Sequence, residues 1–227
     1  MKIAEIFYSI QGEGTLVGVP SVFVRTSGCN LRCTWCDTPY TSWQPQGEEL
    51  SVQQIADHVQ AYASSHVVIT GGEPMIAPRI AELAQTMRAL GAHITIETAG
   101  TVFQQLPCDL MSISPKLANS TPWERDGGRW AATHERLRHQ PDVLKALLAE
   151  YRYQLKFVVA GPDDLAEIET MQRELGAPAQ NVVLMAEGVN RDVLRDRGLW
   201  LAEICKERGY RFSPRLHVEL WGDRRGI

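Results

Sequence analysis

Short β-rich runs alternate with amphipathic helical stretches along almost the whole 227-residue chain, and that order leaves few folds open. Strands separated by helices run parallel, with the helices packed outside the sheet. Val22-Phe23-Val24 is the first such run. Ser51 and Gln54 then form a capping-box pair, and Val52, Ile55, Val59 and Tyr62 share one helical face. His66 to Thr70 reads as a buried strand ending in Gly71-Gly72. A second helix lies between Pro78 and Gly91, with Ile80, Leu83, Met87 and Leu90 as its apolar stripe. Ile94 and Ile96 mark the next strand. Further strands fall around Leu110 to Ile113, Leu155 to Val159 and Val182 to Met185, and helices around Val143 to Tyr151, Leu165 to Leu175 and Val193 to Arg208. The element count is about six parallel strands.

Loops at the C-terminal ends of such strands carry chemistry. Gly14, Gly71-Gly72, Gly100 and Ser114-Pro115 each stand at or near a strand end. The least regular stretch, Leu117 to His139 with Gly127-Gly128 inside it, reads as a mobile loop. A single domain over 1–227 is expected from the length. The formal charge of -4 predicts no broad cationic face, so nucleic-acid binding is not expected. No run has the length of a membrane span, and Met1 to Ile6 lacks a signal-peptide core, so a cytoplasmic location and no membrane partner are expected.

Three of the five cysteines crowd into Cys29-x3-Cys33-x2-Cys36. That crowding suits a metal site in a reducing compartment better than disulfides. Three thiolates at this spacing can hold three corners of a four-iron four-sulfur cube and leave the fourth iron open to a substrate. A zinc site would want a second cysteine or histidine pair at regular spacing, and none is present. Three core cysteines would not share a loop with Gly28, Asn30 and Arg32. Cys108 and Cys205 stand alone and read as small buried hydrophobes.

Gly28-Cys29-Asn30-Leu31-Arg32-Cys33-Thr34-Trp35-Cys36-Asp37 resembles the cluster loop of the radical S-adenosylmethionine superfamily, and Gly71-Gly72-Glu73-Pro74 resembles its second motif. The resemblance implies an incomplete α/β barrel, a 4Fe-4S cluster on Cys29, Cys33 and Cys36, and S-adenosylmethionine chelated at the open iron. Reductive cleavage of the cofactor then yields a 5'-deoxyadenosyl radical. Gly72 is expected to let the backbone approach the cofactor's methionine group.

Further segments are similar to the 7-carboxy-7-deazaguanine synthase family of 7-deazapurine (queuosine-type) biosynthesis. They are Glu5-Ile6-Phe7, Ile10 to Gly14, Phe23-Val24-Arg25, Trp35 to Thr38, Ile96 to Thr101, Ser112 to Lys116, Leu216-His217, Trp221-Gly222 and Arg225-Gly226. Their order and spacing carry the resemblance over nearly the whole chain. It implies conversion of 6-carboxy-5,6,7,8-tetrahydropterin to 7-carboxy-7-deazaguanine with loss of ammonia, hydrogen abstraction at C6 and ring contraction, aided by Mg2+. A flavodoxin or ferredoxin as reductant and a homodimer are implied with it.

By that resemblance Ile10, Gln11 and Gly12 contact the pterin, Thr70 does so too, and Arg25, ending the first strand read, holds a carboxylate or the pterin edge with its planar fork. On its own Arg25 would read as a surface ion pair. Thr38 would ligate Mg2+, and without the family match it reads as a turn cap before Pro39. Trp35, Cys36, Asp37, Gly72, Ser114, Pro115 and Lys116 line the cofactor. Glu97 either touches substrate or transfers a proton, and on its own it is a satisfied strand-end acid; His217 is read likewise. The segment from about 213 to 227 folds over the substrate, bringing the Ile227 carboxylate to it. Ala186 stands where relatives would place a proline. A glycyl-radical activase shares the cysteine spacing, and Gln11 to Gly14 with Leu216-His217 argue against it. A non-catalytic electron carrier would saturate all four irons, which the lone Cys108 and Cys205 fit poorly.

Overall fold

A computed structural model describes all residues from 1 to 227. A nine-stranded sheet runs in the order β3-β1-β2-β4-β5-β6-β7-β8-β9, where β1 is Lys2–Ile10, β2 Pro20–Thr26, β3 Glu48–Glu49, β4 His66–Gly71, β5 His93–Thr98, β6 Leu110–Ile113, β7 Tyr153–Val159, β8 Val182–Ala186 and β9 Arg211–Ser213. From β2 onward every pairing is parallel, giving seven parallel strands instead of six. The seventh, β9, is three residues long and too short to leave a periodic signal. The two ends of the sheet, β3 and β9, do not pair with each other, so the barrel stays open.

β1 and the two-residue β3 are the other strands that periodicity did not single out. β1 pairs antiparallel with β2 and β3, and a register shift between Ile3 and Glu5 breaks its alternation. Arg25 therefore ends the second strand, not the first. Because β1 is antiparallel, its C-terminal end meets the start of β2, Ile10 opposite Pro20. The loop beginning at Gln11 thus departs from the end of the sheet opposite to the cluster loop, an exception to the expected placement.

Side chains alternate between the two faces of the strands. Val22, Val24, Val67, Ile69, Ile94 and Ile96 point outward into a 38-residue core shared with the helices. The inner face holds a small apolar group, Phe7, Phe23 and Val68, with Val158 and Met185 farther along, and carries the polar Thr70, Glu97, Ser112, Gln154 and Lys156.

The helices are α1 (Pro39–Ser42), α2 (Val52–Gln60), α3 (Ile80–Ala89), α4 (Ala131–Arg138), α5 (Pro141–Glu150), α6 (Asp164–Leu175), α7 (Arg191–Arg208) and α8 (Leu216–Trp221). At α2 both capping-box bonds form: Gln54 N donates to Ser51 Oγ at 3.2 Å and Ser51 N to Gln54 Oε1 at 2.9 Å. Val52, Ile55 and Val59 are buried as expected, but Tyr62 lies past the helix end and stacks on Tyr8 at 5.7 Å. In α3, Ile80, Leu83 and Met87 are buried, whereas Leu90 is the C-terminal cap residue and exposed.

Leu117 to His139 is not a loose loop. It contains α4 and two short 3-10 turns, and His134 of α4 is buried. Its glycines serve a tight turn within a segment that packs against the cysteine loop. Ala186 is the last residue of β8, paired with Val159 and buried, so this position continues the ladder.

Candidate active site

The cysteine loop leaves β2 at Thr26 and is fixed from two sides. On one side is the turn after β4: Gly72 N donates to Thr26 O at 3.2 Å and Glu73 N to Gly28 O at 2.9 Å. A methyl group on Gly72 would collide with the Gly28 carbonyl and come 2.8 Å from Cys29 Cβ. Close approach of the two loops, not only of a cofactor, is what requires glycine there. The buried Glu73 carboxylate accepts from Thr98 Oγ1 and Ala99 N, both at 2.7 Å, and from Met75 N at 3.0 Å, which locks the ends of β4 and β5 together. Burial raises its pKa, and these donors oppose the shift without cancelling it.

On the other side is the segment 117–139. Thr34 N donates to Ser120 O at 2.8 Å, and Arg32 N donates to His134 Nδ1 at 3.1 Å. His134 Nε2 meets Ser120 Oγ at 2.8 Å, and that hydroxyl donates to Leu117 O at 2.6 Å, so Nε2 carries the proton of a neutral ring. Burial, with Arg138 and Lys116 adding to it, pushes His134 down to about 4. Between pH 6.5 and about 4 the unfolded chain takes up a proton that the folded chain refuses. Stability is therefore expected to fall as pH drops through this window, by on the order of 2 kcal/mol once solvent screening is allowed for, and to level off below it. Urea unfolding across that range checks this, and His134→Gln should flatten the slope.

Cys29, Cys33 and Cys36 all line one cavity of ≈ 280 Å³, near the lower end of small-molecule sites. Burial raises Cys29 to about 12, with Glu73 adding to the rise, and pushes Cys33 up as well. Two buried thiolates are sustained only beside compensating positive charge, which an iron-sulfur core provides. Leu31 N donates to Cys29 Sγ at 3.3 Å, and Ser42 Oγ lies 3.2 Å from Cys36 Sγ. No three His, Cys, Asp or Glu side chains close on a point as they would around one ion. A four-iron cube has separated corners, so its ligands need not meet. The residues fit the cluster. Cys108 and Cys205 pack with the main core, far in the fold from this loop.

The wall of the cavity is the inner face of the sheet. Glu97 accepts from Thr70 Oγ1 at 2.8 Å and from Gln11 Nε2 at 3.1 Å, so strand, neighbour and loop aim one carboxylate inward. Arg25 donates through Nε to Glu5 at 2.7 Å and its guanidinium lies 5.6 Å from the Phe7 ring. The ion pair is present, yet Arg25 also lines the cavity and is largely buried. Thr38 makes no side-chain cap at α1, which leaves its hydroxyl on the cavity 3.8 Å from Cys36 Sγ.

After Ile10 the chain crosses the concave side of the sheet. Thr15 N donates to Gln154 Oε1 on β7 at 2.8 Å and Gly14 N to Ser213 Oγ on β9 at 2.7 Å, so the loop spans the opening that strand pairing leaves. Leu216 N donates to Gly12 O at 2.9 Å, and His217 packs on Gly12 where any Cβ would collide with the imidazole. Burial holds His217 below its ordinary pKa.

A chain of paired charges, buried except at Asp37, joins these parts. Glu13 pairs with Lys156 and, at 3.1 Å, with Arg215 Nε; Arg215 pairs also with Asp37 and donates to Gly188 O at 2.7 Å. Burial alone would raise the Glu13 and Asp37 carboxyls; Lys156 and Arg215 more than reverse this at Glu13, and Arg215 with Arg25 does so at Asp37. Arg225 stacks on Tyr40 at 4.0 Å and reaches Glu5 at 3.1 Å, folding the last residues over the cavity mouth.

Ile10, Gln11, Gly12, Arg25, Trp35, Asp37, Thr38, Thr70, Gly72, Glu97, Ser114, Lys116, His217 and Ile227 join the three cysteines around this cavity; Pro115 does not line it. Lys156, Gln154 and Arg215 were not singled out by the sequence. Gln154 and Lys156 alternate with Leu155 and Phe157, a polar stripe in a strand otherwise buried, which is the signal that could have found them. Arg215 had none, because both its partners are distant in sequence.

Residues 23–138 match the family model described as the Radical SAM superfamily. A relative from Halobacterium salinarum named 7-carboxy-7-deazaguanine synthase is 47% identical over 98% of this chain and 91% of its own length. One of the same name from Rhodopirellula baltica is 44% identical over all of this chain and 88% of its own. The crystal structure of QueE from Escherichia coli superposes with a TM-score of 0.66 at 25% identity, covering 95% of this chain and 94% of that one.

Proposed function

The chain belongs to the 7-carboxy-7-deazaguanine synthase family within the radical S-adenosylmethionine superfamily, and from that premise we propose that it converts 6-carboxy-5,6,7,8-tetrahydropterin to 7-carboxy-7-deazaguanine with loss of ammonia. The observation carrying this reading is that the three cysteine thiols and the Gln11–Glu97–Thr70 group face one cavity.

When bound, the cluster and S-adenosylmethionine supply the radical that removes hydrogen from the pterin C6. Cys29, Cys33 and Cys36 hold the cluster, and Trp35, Asp37, Gly72, Ser114 and Lys116 line the cofactor's place. Glu97, oriented by Thr70 and Gln11, accepts hydrogen bonds from the pterin's N–H edge or takes a proton there. Arg25 offers its fork to the substrate carboxylate, and His217, held neutral, faces the same space from α8. Ile10 and Gly12 form the floor. Thr38 offers a hydroxyl to Mg2+, whose other ligands would be water and substrate oxygens. The segment 213–227, with the Ile227 carboxylate at its end, excludes water while radicals are exposed.

The proposal includes one domain over 1–227, a cytoplasmic homodimer and a flavodoxin or ferredoxin as reductant. Clustered free cysteines support the reducing compartment, and no helix is long and apolar enough to cross a membrane. Anaerobically reconstituted protein given dithionite, S-adenosylmethionine and the carboxy-tetrahydropterin is expected to form the deazaguanine acid, faster with Mg2+. Formation of 5'-deoxyadenosine with the pterin untouched would reject this substrate.

A further inference from the structure

The cluster loop has one side turned to solvent. Its other side looks into the cavity, which substrate and cofactor fill, so an electron from outside must enter through the solvent side. Thr34, between Cys33 and Cys36, is exposed there. Arg125 donates to its carbonyl at 2.7 Å, and Arg32 donates to the Cys29 and Leu31 carbonyls at 2.6 and 2.8 Å.

These guanidinium groups are held by aromatic faces. Arg125 lies 4.1 Å over Trp43, while Arg32 and Arg129 lie 4.8 and 5.3 Å from the Trp130 ring. None of the three has a carboxylate within 4.0 Å among the ion pairs of the fold. Beside them Trp123 is 65% exposed, a large indole with its face uncovered. Glu124 and Asp126 lie on the same turn, so three cations stand against two anions on a chain of formal charge -4. The charge of this face is opposite to that of the whole. At physiological salt charges farther than about 8 Å are largely screened, so the local sign decides what can dock.

We propose that Trp123, Arg125, Arg129 and Arg32 form the docking face for an acidic one-electron donor protein. The inference rests on the radical S-adenosylmethionine reading. Trp123 supplies a rigid apolar anchor and the arginines supply steering, the pairing that dominates interface energetics. In the complex one electron leaves the donor's reduced centre, which is oxidised by one equivalent, and enters the oxidised cluster, which is reduced by one. No atom passes between the proteins.

The test uses reconstituted holoenzyme and flavodoxin. Calorimetric titration of oxidised flavodoxin should give binding that weakens as salt rises. In Trp123→Ser/Arg129→Glu the Kd, and the KM for reduced flavodoxin in turnover, should each rise at least roughly tenfold. Turnover driven by dithionite should stay at the wild-type value, since neither residue lines the cavity. Unchanged flavodoxin affinity in the variant, or an equal loss with dithionite, overturns the docking face. Loss of binding in the variant while wild type leaves the pterin unreacted supports the face and rejects the reaction instead.

Discussion

Replacing Cys33 with alanine is expected to abolish product formation and to remove the brown chromophore, with little change in folding. Cys33 sits in a small apolar group with Leu31 and Ala99, outside the main core. Losing its sulfur removes few packing contacts and costs on the order of 1 kcal/mol. It also removes one of the three corners that hold the cube, and no other cysteine can replace it, because Cys108 and Cys205 pack in the main core. Cys205→Ala gives the opposite result: measurable destabilisation, because its thiol is buried under α7, with iron content and activity intact. Iron and sulfide analysis with thermal unfolding of both variants separates the two roles. A Cys33→Ala protein that keeps a full cluster and turns over would refute the three-cornered site.

Arg215→Met is expected to cost about 3–5 kcal/mol of stability and most of the activity. The guanidinium serves three directions at once: Glu13 on the crossing loop, Asp37 on the cluster loop and the Gly188 carbonyl after β8. Without it Glu13 keeps only Lys156, in a place where an uncompensated charge is expensive, while the more exposed Asp37 loses its partner at smaller cost. Arg215→Lys is expected to recover little, because an ammonium cannot reach three acceptors in a plane. Urea unfolding measures the first effect and steady-state kinetics the second. A loss under 1 kcal/mol with normal turnover would mean that the charges bridge nothing.

Much of this fold was legible in the chain because its signals are local. The capping box of α2, the apolar stripe of α3 and the β-branched runs of β4 and β5 are settled by residues within one helical turn or one strand. β1, β3 and β9 were not read: the first is broken by a bulge and the others span two and three residues. The segment 117–139 was misread for a related reason. Its order comes from bonds to residues 91 and 102 positions away, Arg125 to Thr34 and His134 to Arg32.

The same division holds for the site. The cysteine spacing pointed to the cluster from the sequence alone, since three thiols within eight residues stay close together whatever the fold. What only the tertiary structure decided is which charges face each other around it. Lys156 against Glu13, and Arg215 between Glu13 and Asp37, join residues as many as 202 positions apart. A buried charge is stable only beside its counter-charge, and sheet curvature and loop path set that neighbour, which linear order does not carry.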